Sequence, residues 1–446
     1  MKIQFILILM LCFPLLNFGQ ESFTLQEAID YALQNHNSIK NAQLDEMDAK
    51  YQIRETAAIG IPQVNAEIGY RYNIQLPVSV LLADDFPFPV MDSSGGGSDL
   101  IEFPQGVKNN FYAGVEVTTL AFDWSYIIGL RAAKKLKELR SQQVELTEQE
   151  VRANVRESYL GTFLLDLTQE TLENNVSNLE QLLFETQQSY EAGFVERLDV
   201  LRLELSLSNL KTELKNLIEQ KQVVLNVLKF QMNYPLDQEL QLEDDVETLL
   251  GSALDVNTAE EIDFNLRKEI DLVDTQIRLN EDNVKRIRAG YFPNLFLFAG
   301  YQQTLQGNSL FRANQAFWRP NSYAGFQINV PIFDGMEKKN SVARAEITIQ
   351  KFRNQRKDLF NAIKLEVGNA RINYLNRLES MNEMQSTLDI AQAIYNSTQV
   401  KYQEGVGSSL EVSQAEQALY QAQSNYNRSL YDVLIAKASL DKALGK

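Results

Sequence analysis

The sequence of 446 residues has one cysteine and one histidine, and this scarcity excludes several kinds of site. Catalytic triads need a histidine beside the nucleophile, and structural zinc sites need several cysteine or histidine ligands. Cys12 lies in an apolar N-terminal run, and the chain beyond it has no thiol and can form no disulfide. We therefore expect a chain stabilised by packing, without catalytic residues, metal site or cofactor.

Positive charge is also in short supply. The chain has 42 lysine and arginine residues against 59 aspartate and glutamate residues, which gives a formal net charge of −17. A field of this sign repels the phosphates of nucleic acids and anionic membrane surfaces. We therefore expect no nucleic-acid partner.

Long apolar runs are rare, and the one that stands out is at the N-terminus. Lys2 precedes an apolar run over residues 3–16, and the small residue Gly19 follows it. This order is typical of a secretory signal peptide, here residues 1–19. No later stretch approaches 18 consecutive apolar residues, so the sequence predicts no transmembrane helix. The rest of the chain is predicted to leave the cytoplasm.

The remainder of the chain is a tandem duplication. A set of residues recurs 212 positions downstream: Tyr190, Gly193, Leu198, Val200 and Glu204 return as Tyr402, Gly405, Leu410, Val412 and Glu416. Earlier matches have offsets of 231 and then 211, so the first copy carries a loop 20 residues longer. We assign 20–231 to a first structural repeat, 232–257 to a connecting segment and 258–446 to a second repeat.

Hydrophobic spacing predicts three helices in each copy. They cover residues 24–59, 125–190 and 196–231 in the first copy, and 258–289, 336–402 and 409–443 in the second. The long helix of each copy has a coiled-coil seam with alternating spacings of three and four: Leu172, Val176, Leu179, Leu183 and Tyr190, repeated as Met384, Leu388, Ala391, Tyr395 and Tyr402. At 1.5 Å per residue each long helix would span roughly 100 Å. An ordinary helical bundle or a cytoskeletal coiled coil remains an alternative for the helices alone.

Between the first and the long helix of each copy, the hydrophobic period changes to two. Ala66, Ile68 and Tyr70 alternate with polar residues, and a returning strand follows from Phe111; the second copy repeats both strands. Strands of about ten residues with one apolar and one polar face suit a membrane barrel of at least about eight strands. Four strands per chain then require several chains. A soluble hairpin packed on helices would show the same alternation. The connections are predicted as a long loop over 76–110 and a shorter one over 306–320.

Several short motifs, taken in order and in duplicate, resemble those of the TolC-like outer membrane efflux proteins over essentially the whole mature chain. They are Thr24-Leu25-Gln26-Glu27-Ala28, Pro331-Ile332-Phe333-Asp334-Gly335, Tyr402-Gln403-Glu404-Gly405 and the terminal run from Ala438 to Gly445. The resemblance implies a mainly α-helical chain with long antiparallel coiled-coil helices and four β-strands. It also implies a homotrimer that forms a 12-stranded barrel in the outer membrane and a helical tunnel in the periplasm. The implied partners are a periplasmic adaptor protein, an inner-membrane transporter and outer membrane lipid.

The resemblance also assigns candidate sites. The helical turns farthest from the strands would contact the adaptor through Gly193, Leu198, Val200, Gly405, Leu410 and Val412. Asp199, Glu411 and Tyr402 would line the periplasmic entrance. Asp199 and Glu411 also fit plain carboxylates at helix starts, and Tyr402 fits a core residue of the seam. Some members latch this entrance with an arginine and a carboxylate, but Gly407 and Gln414 stand at those positions here, and Arg197 is a candidate substitute.

The function implied is that of a passive outer membrane duct in a tripartite efflux or secretion system. A secreted or periplasmic coiled-coil structural protein or adhesin is the alternative, although it would not need the four amphipathic strands. Both interpretations place the mature chain outside the cytoplasm, and neither requires covalent chemistry.

Overall fold

A computed structural model describes residues 21–82, 100–254, 261–309 and 316–446. The predicted signal peptide, with Cys12, lies outside the described residues. Most of the described chain is helical. The elements in chain order are β1 Glu21–Phe23, α1 Leu25–Asn35, α2 Asn37–Ala58, β2 Gln63–Tyr72, β3 Val78–Leu82, β4 Leu100–Pro104, β5 Asn109–Phe122, α3 Trp124–Glu191, α4 Arg197–Met232, β6 Leu240–Leu242, α5 Val246–Leu254, α6 Lys268–Ala289, β7 Asn294–Gly307, β8 Ala316–Asn329, α7 Glu337–Gln403 and α8 Ser409–Leu444.

The chain divides into two compact units, and each takes segments from both sequence repeats. The helical unit consists of the segment up to Met47, Glu138–Gln276 and Phe352–Lys446. The sheet unit consists of Asp48–Lys137 and Ile277–Lys351. Helices α3 and α7 contribute residues to both units.

The coiled-coil seam predicted from the sequence forms one core of the helical unit. Leu172 and Leu179 of α3 are buried with Ala391 and Tyr395 of α7, and residues of α4 and α8 complete the cluster. Tyr190, the last seam residue of the first copy, is 37% exposed. The predicted 3/4 spacing is therefore confirmed as a buried stripe, which opens to solvent near the end of α3.

A second core of the helical unit fixes the N-terminal residues of the described chain. Side chains of α1, α3, α4 and β6 surround Tyr159, which is fully buried. The Tyr159 hydroxyl donates to the Phe23 carbonyl at 2.9 Å and to Asp244 Oδ2 at 2.8 Å. Beside it, β1 and β6 pair in parallel over three residues. This core joins the start of the first repeat to the segment that connects the repeats.

The sheet unit contains a four-stranded antiparallel sheet in the order β2-β5-β7-β8. Its register separates the side chains by type, as the period-two pattern predicts. Ile68 lies opposite Ala113 on one face, and Glu67 lies opposite Gly114 on the other. The large side chains of the apolar face are exposed, including Ile68 at 73% and Phe326 at 67%. The four predicted strands are confirmed, with one apolar and one polar face.

On the polar face of the sheet, two tyrosines lie across glycines of the neighbouring strand. An added Cβ at Gly69 would be 2.3 Å from the Tyr112 hydroxyl oxygen, and one at Gly300 would be 2.5 Å from Cζ of Tyr323. Tyr112 also donates to Glu67 Oε1 at 3.0 Å. The two pairs occupy equivalent positions of the predicted repeats, so the same side-chain packing occurs twice in the sheet.

The structure differs from the expected elements in three places. The first predicted helix is two helices, α1 and α2, because the chain is extended at His36 (φ −64°, ψ 129°). The helix expected from residue 258 begins at Lys268, after an extended Arg267 and a 3-10 turn. The predicted loops are shorter than expected, since β3 and β4 form a separate hairpin inside 76–110 and strands β7 and β8 extend into 306–320.

Within the described residues, none of the helices combines the length and the hydrophobicity that a bilayer crossing requires.

Candidate functional site: the paired helical turns

Both helical hairpins of the helical unit turn at a glycine in the left-handed conformation. Gly193 has φ +84°, and Gly405 has φ +75°. In the first turn, the amide of Phe194 donates to the Ser189 carbonyl at 2.9 Å. The matching bond in the second turn runs from Val406 to the Lys401 carbonyl, also at 2.9 Å. This pattern is a Schellman C-cap, in which a residue with a Cβ would be strained.

The leucine and the valine proposed for adaptor contact at each turn have different environments. Leu198 and Leu410 are about half exposed, at 49% and 48%. Val200 is 5% exposed, and Val412 is fully buried in the core that α3, α4, α7 and α8 form. Of the residues proposed for adaptor contact, the two leucines therefore offer surface, while the two valines anchor the starts of α4 and α8.

Asp199 lies in a hydrogen-bonded group that joins the two turns. Ser409 Oγ, at the start of α8, donates to Asp199 Oδ1. Arg202 Nη1 donates to Ser409 Oγ at 3.2 Å and lies 3.8 Å from Asp199 Oδ1. The other oxygen of Asp199 accepts from the amide of Glu196 at 3.1 Å, which caps the start of α4. The arginine beside Asp199 is thus Arg202, and not the candidate substitute Arg197.

Glu411, the repeat equivalent of Asp199, has a different environment. Its backbone amide donates to Ser408 Oγ at 3.3 Å, which caps α8, and its side chain is exposed in the first turn. The carboxylates of Asp199 and Glu411 are equivalent in the sequence repeats, but they have different environments in the structure. Asp199 is opposed by a guanidinium, and Glu411 is open to solvent.

Tyr402 provides a further link between the hairpins. Its hydroxyl donates to Thr186 Oγ1 at 3.3 Å, and the neighbouring Gln403 amide donates to Glu185 Oε2 at 3.2 Å. Burial raises the pKa of Tyr402, so the phenol is neutral at physiological pH. The structure thus brings Asp199 and Tyr402 together with partners from the other repeat.

Comparison with known proteins identifies the family. The family model described as outer membrane efflux protein matches residues 28–230 and 266–446, which is most of the chain. This chain belongs to the outer membrane efflux protein family. The efflux protein is 25% identical over 365 residues to the pyoverdine export outer membrane protein OpmQ of Pseudomonas aeruginosa, with 79% of this chain and 73% of OpmQ covered. It is 24% identical over 447 residues to the cation efflux system protein CusC of Escherichia coli, with 94% of this chain and 85% of CusC covered.

The fold of the efflux protein agrees with this assignment. It matches a crystal structure of CusC with a TM-score of 0.71 at 18% identity, covering 95% of this chain and 92% of that one. At this identity the match supports the TolC-like channel fold expected from the sequence motifs. The helices and strands of this efflux protein thus have the same arrangement as those of the CusC structure.

Sequence reasoning missed two apolar residues at the turns of the efflux protein. Phe194 and Val406 directly follow the glycines and are 84% and 79% exposed. They occupy equivalent repeat positions, 212 residues apart. The signal available in the sequence was the recurrence of an apolar residue directly after the glycine in both copies. Arg202 and Ser409 had no such signal, since their contact joins residues 207 positions apart.

Proposed function

We propose that this protein is the outer membrane duct of a tripartite efflux or secretion system. It passively passes substrates that a periplasmic adaptor and an inner-membrane transporter deliver, and it carries out no covalent chemistry. The observation that carries this proposal is the occurrence, in one chain, of a two-faced sheet and two paired helical turns. The sheet fits a lipid environment on one face and water on the other.

The edges of the sheet support a homotrimer. Among the described strands, β2 pairs only with β5 and β8 pairs only with β7, so each edge strand leaves a row of backbone groups available. Such groups in a membrane need hydrogen-bond partners. Pairing β2 of one copy with β8 of the next satisfies them, and three copies then close a sheet of 12 strands.

The paired turns support an adaptor-binding role. Phe194, Leu198, Val406 and Leu410 are exposed apolar residues at the same end of the helices, two from each repeat. A trimer would present six similar turns, two per chain. Apolar residues exposed around rigid glycine turns are suited to contact with a protein partner.

The cargo of OpmQ and CusC, as their names state, is pyoverdine for one and cations for the other. Relatives at similar identity thus export chemically different substrates. The proposed duct therefore takes its specificity from the transporter that delivers the substrate, and not from its own wall.

The test combines localisation with a substitution at the turn. The protein should fractionate with the outer membrane and show heat-modifiable mobility in mild detergent. Gly405→Val should impair export while the heat-modifiable form persists, since the left-handed conformation costs a β-branched residue about 1–2 kcal/mol. The matched control is Gly368→Val in α7, where an added Cβ would have no described atom within 4 Å apart from the neighbouring backbone of its own helix.

Export by the Gly405→Val variant at the level of the control would contradict the role of the turns. A soluble, non-heat-modifiable protein would instead favour the periplasmic or secreted coiled-coil alternative.

A further inference from the structure

The helical unit contains a fully buried carboxyl group that no cation neutralises in the described residues. Glu416 of α8 is 1% exposed, and its Oε1 accepts from the Tyr420 hydroxyl at 2.7 Å. Burial raises the pKa of Glu416, and the Tyr420 bond offsets this only in part. A glutamine would keep the shape and the hydrogen bond without the cost of burying a charge. The carboxyl group therefore calls for an explanation other than packing.

Glu416 borders a cavity of about 430 Å³ between α3, α4 and α8. Hydroxyl and amide side chains form most of the wall, among them Thr171, Asn175 and Ser206. Glu213 also lines the cavity, and no basic residue of the described chain does. The volume falls within the range of small-molecule sites, which is roughly 300–1,000 Å³.

The buried position of Glu416 is not required by the repeat architecture. Glu204, the repeat equivalent of Glu416, is exposed on α4. The same coiled-coil position thus functions structurally with its carboxylate in water. What distinguishes Glu416 is its burial beside an open space.

The chemistry of the wall selects among positively charged ligands. A divalent metal prefers several carboxylate or imidazole ligands, and within the described chain no cluster of such residues could hold one. An alkylammonium group has three N–H donors, which match one carboxylate and the neighbouring hydroxyl or amide oxygens. Its methylene groups would contact the apolar part of the wall, which Leu172 and Leu210 provide.

We propose that this cavity is a binding site for a small protonated amine, whose ammonium group pairs with the Glu416 carboxylate. The ligand would contact three helices of one unit, so its binding should stabilise the helical unit through mass action. The site is separate from the turns at Gly193 and Gly405 and does not depend on the proposed export function.

The test measures binding of putrescine to the purified full chain in detergent by isothermal titration calorimetry at neutral pH. The uncharged 1,4-butanediol is the matched ligand control. Putrescine should bind and the diol should not. Glu416→Gln should weaken the affinity about tenfold or more, the equivalent of losing one charge-assisted bond. Glu204→Gln, at the equivalent exposed position, should leave the affinity unchanged.

A second variant separates the site from folding defects. Ser206→Leu fills the cavity but retains Glu416, and it should abolish putrescine binding while the circular dichroism spectrum stays unchanged. Failure of putrescine to bind would overturn the proposal. So would equal binding of the diol, or full affinity in either the Glu416→Gln or the Ser206→Leu variant.

Discussion

At the scale of single residues, Tyr159 is a fully buried residue in one core of the helical unit. Its buried hydroxyl donates to both Phe23 and Asp244. Tyr159→Phe would remove one donor from these acceptors, which keep their bonds from the amides of Glu243 and Leu25. We therefore expect it to lower the free energy of unfolding by about 0.5–1.5 kcal/mol. Urea denaturation, monitored by circular dichroism, measures this change in the free energy of unfolding. Tyr190→Phe, at a 37% exposed tyrosine of the same helix, is the control and should change little.

Glu416 should make the stability of the helical unit depend on pH. Burial raises the folded pKa of Glu416 above the ordinary value of a glutamate. Its contribution to stability is therefore complete below that value and is lost as the pH rises through the folded pKa. Glu416→Gln removes this titration, so the variant should gain stability relative to the unmodified protein as the pH rises.

Urea denaturation of both proteins at a series of pH values tests this expectation. A stability difference that is constant across the series would show that Glu416 does not titrate in this way.

The candidate residues show what a sequence can predict at this scale. The glycines at 193 and 405 were predicted because the requirement is local: a helix ends and the chain must turn. The different environments of Asp199 and Glu411 could not be predicted, since Ser409 reaches Asp199 from 210 positions further along the chain. Tyr159 was missed for the same reason, because its two partners lie in β1 and in the segment after β6.

At the scale of elements, long periodic segments were predicted well and short ones were not. Helices α3, α7 and α8 lie within one or two residues of their predicted bounds, because many turns of consistent spacing define them. The break at His36 depends instead on tertiary contacts, such as the Asn233 side-chain amide that donates to the Asn35 carbonyl at 3.1 Å. Strands β1 and β6 have three residues each, too few for any alternation to be recognised.

The glycine–tyrosine pairs of the sheet provide a prediction for strand packing. Gly69→Ala would force Tyr112 from its place and disturb its bond to Glu67, with an overpacking cost of about 1–3 kcal/mol. We expect a lower temperature at which the heat-modifiable form is lost in mild detergent. The double variant Gly69→Ala, Tyr112→Thr should recover most of the loss, because the clash is removed.

Gly251→Ala in α5 is the control for this experiment, since no atom lies within 4 Å of its added Cβ. If Gly69→Ala behaves like this control, the ring of Tyr112 does not need the glycine beneath it.

At the scale of the whole molecule, the order of the sequence and the organisation in space differ. The duplication divides the chain into consecutive halves, whereas each compact unit combines segments from both halves. Sequence comparison within the chain detects the repeat because equivalent residues have equivalent local roles. It does not detect the units, because these depend on contacts between distant segments.

The whole assembly would bring three copies of Glu411 and Asp199 to the periplasmic end of the duct. Rings of carboxylates favour cations in a narrow pore. Since Arg202 opposes Asp199 while Glu411 is exposed, Glu411→Gln should reduce cation preference more than Asp199→Asn. Reversal potentials in planar bilayers under a salt gradient measure this. No effect of Glu411→Gln would contradict its place at the entrance, and equal effects of the two variants would show that Arg202 does not offset the charge of Asp199.

The pairing of β1 with β6 also determines when the first segment of the helical unit can pack during export. Glu21 meets its partner Leu240 only after more than 200 further residues have emerged, if the chain is exported from its N-terminus. The last segment of the helical unit, Phe352–Lys446, appears later still. Until Leu240 has emerged, the apolar side of α1, with Ala28, Ile29 and Ala32, has no complete core to pack against. Contacts of such long range form slowly and leave the early segments prone to aggregation. We expect newly exported chains to depend on a holding chaperone until the segment through Leu242 has emerged.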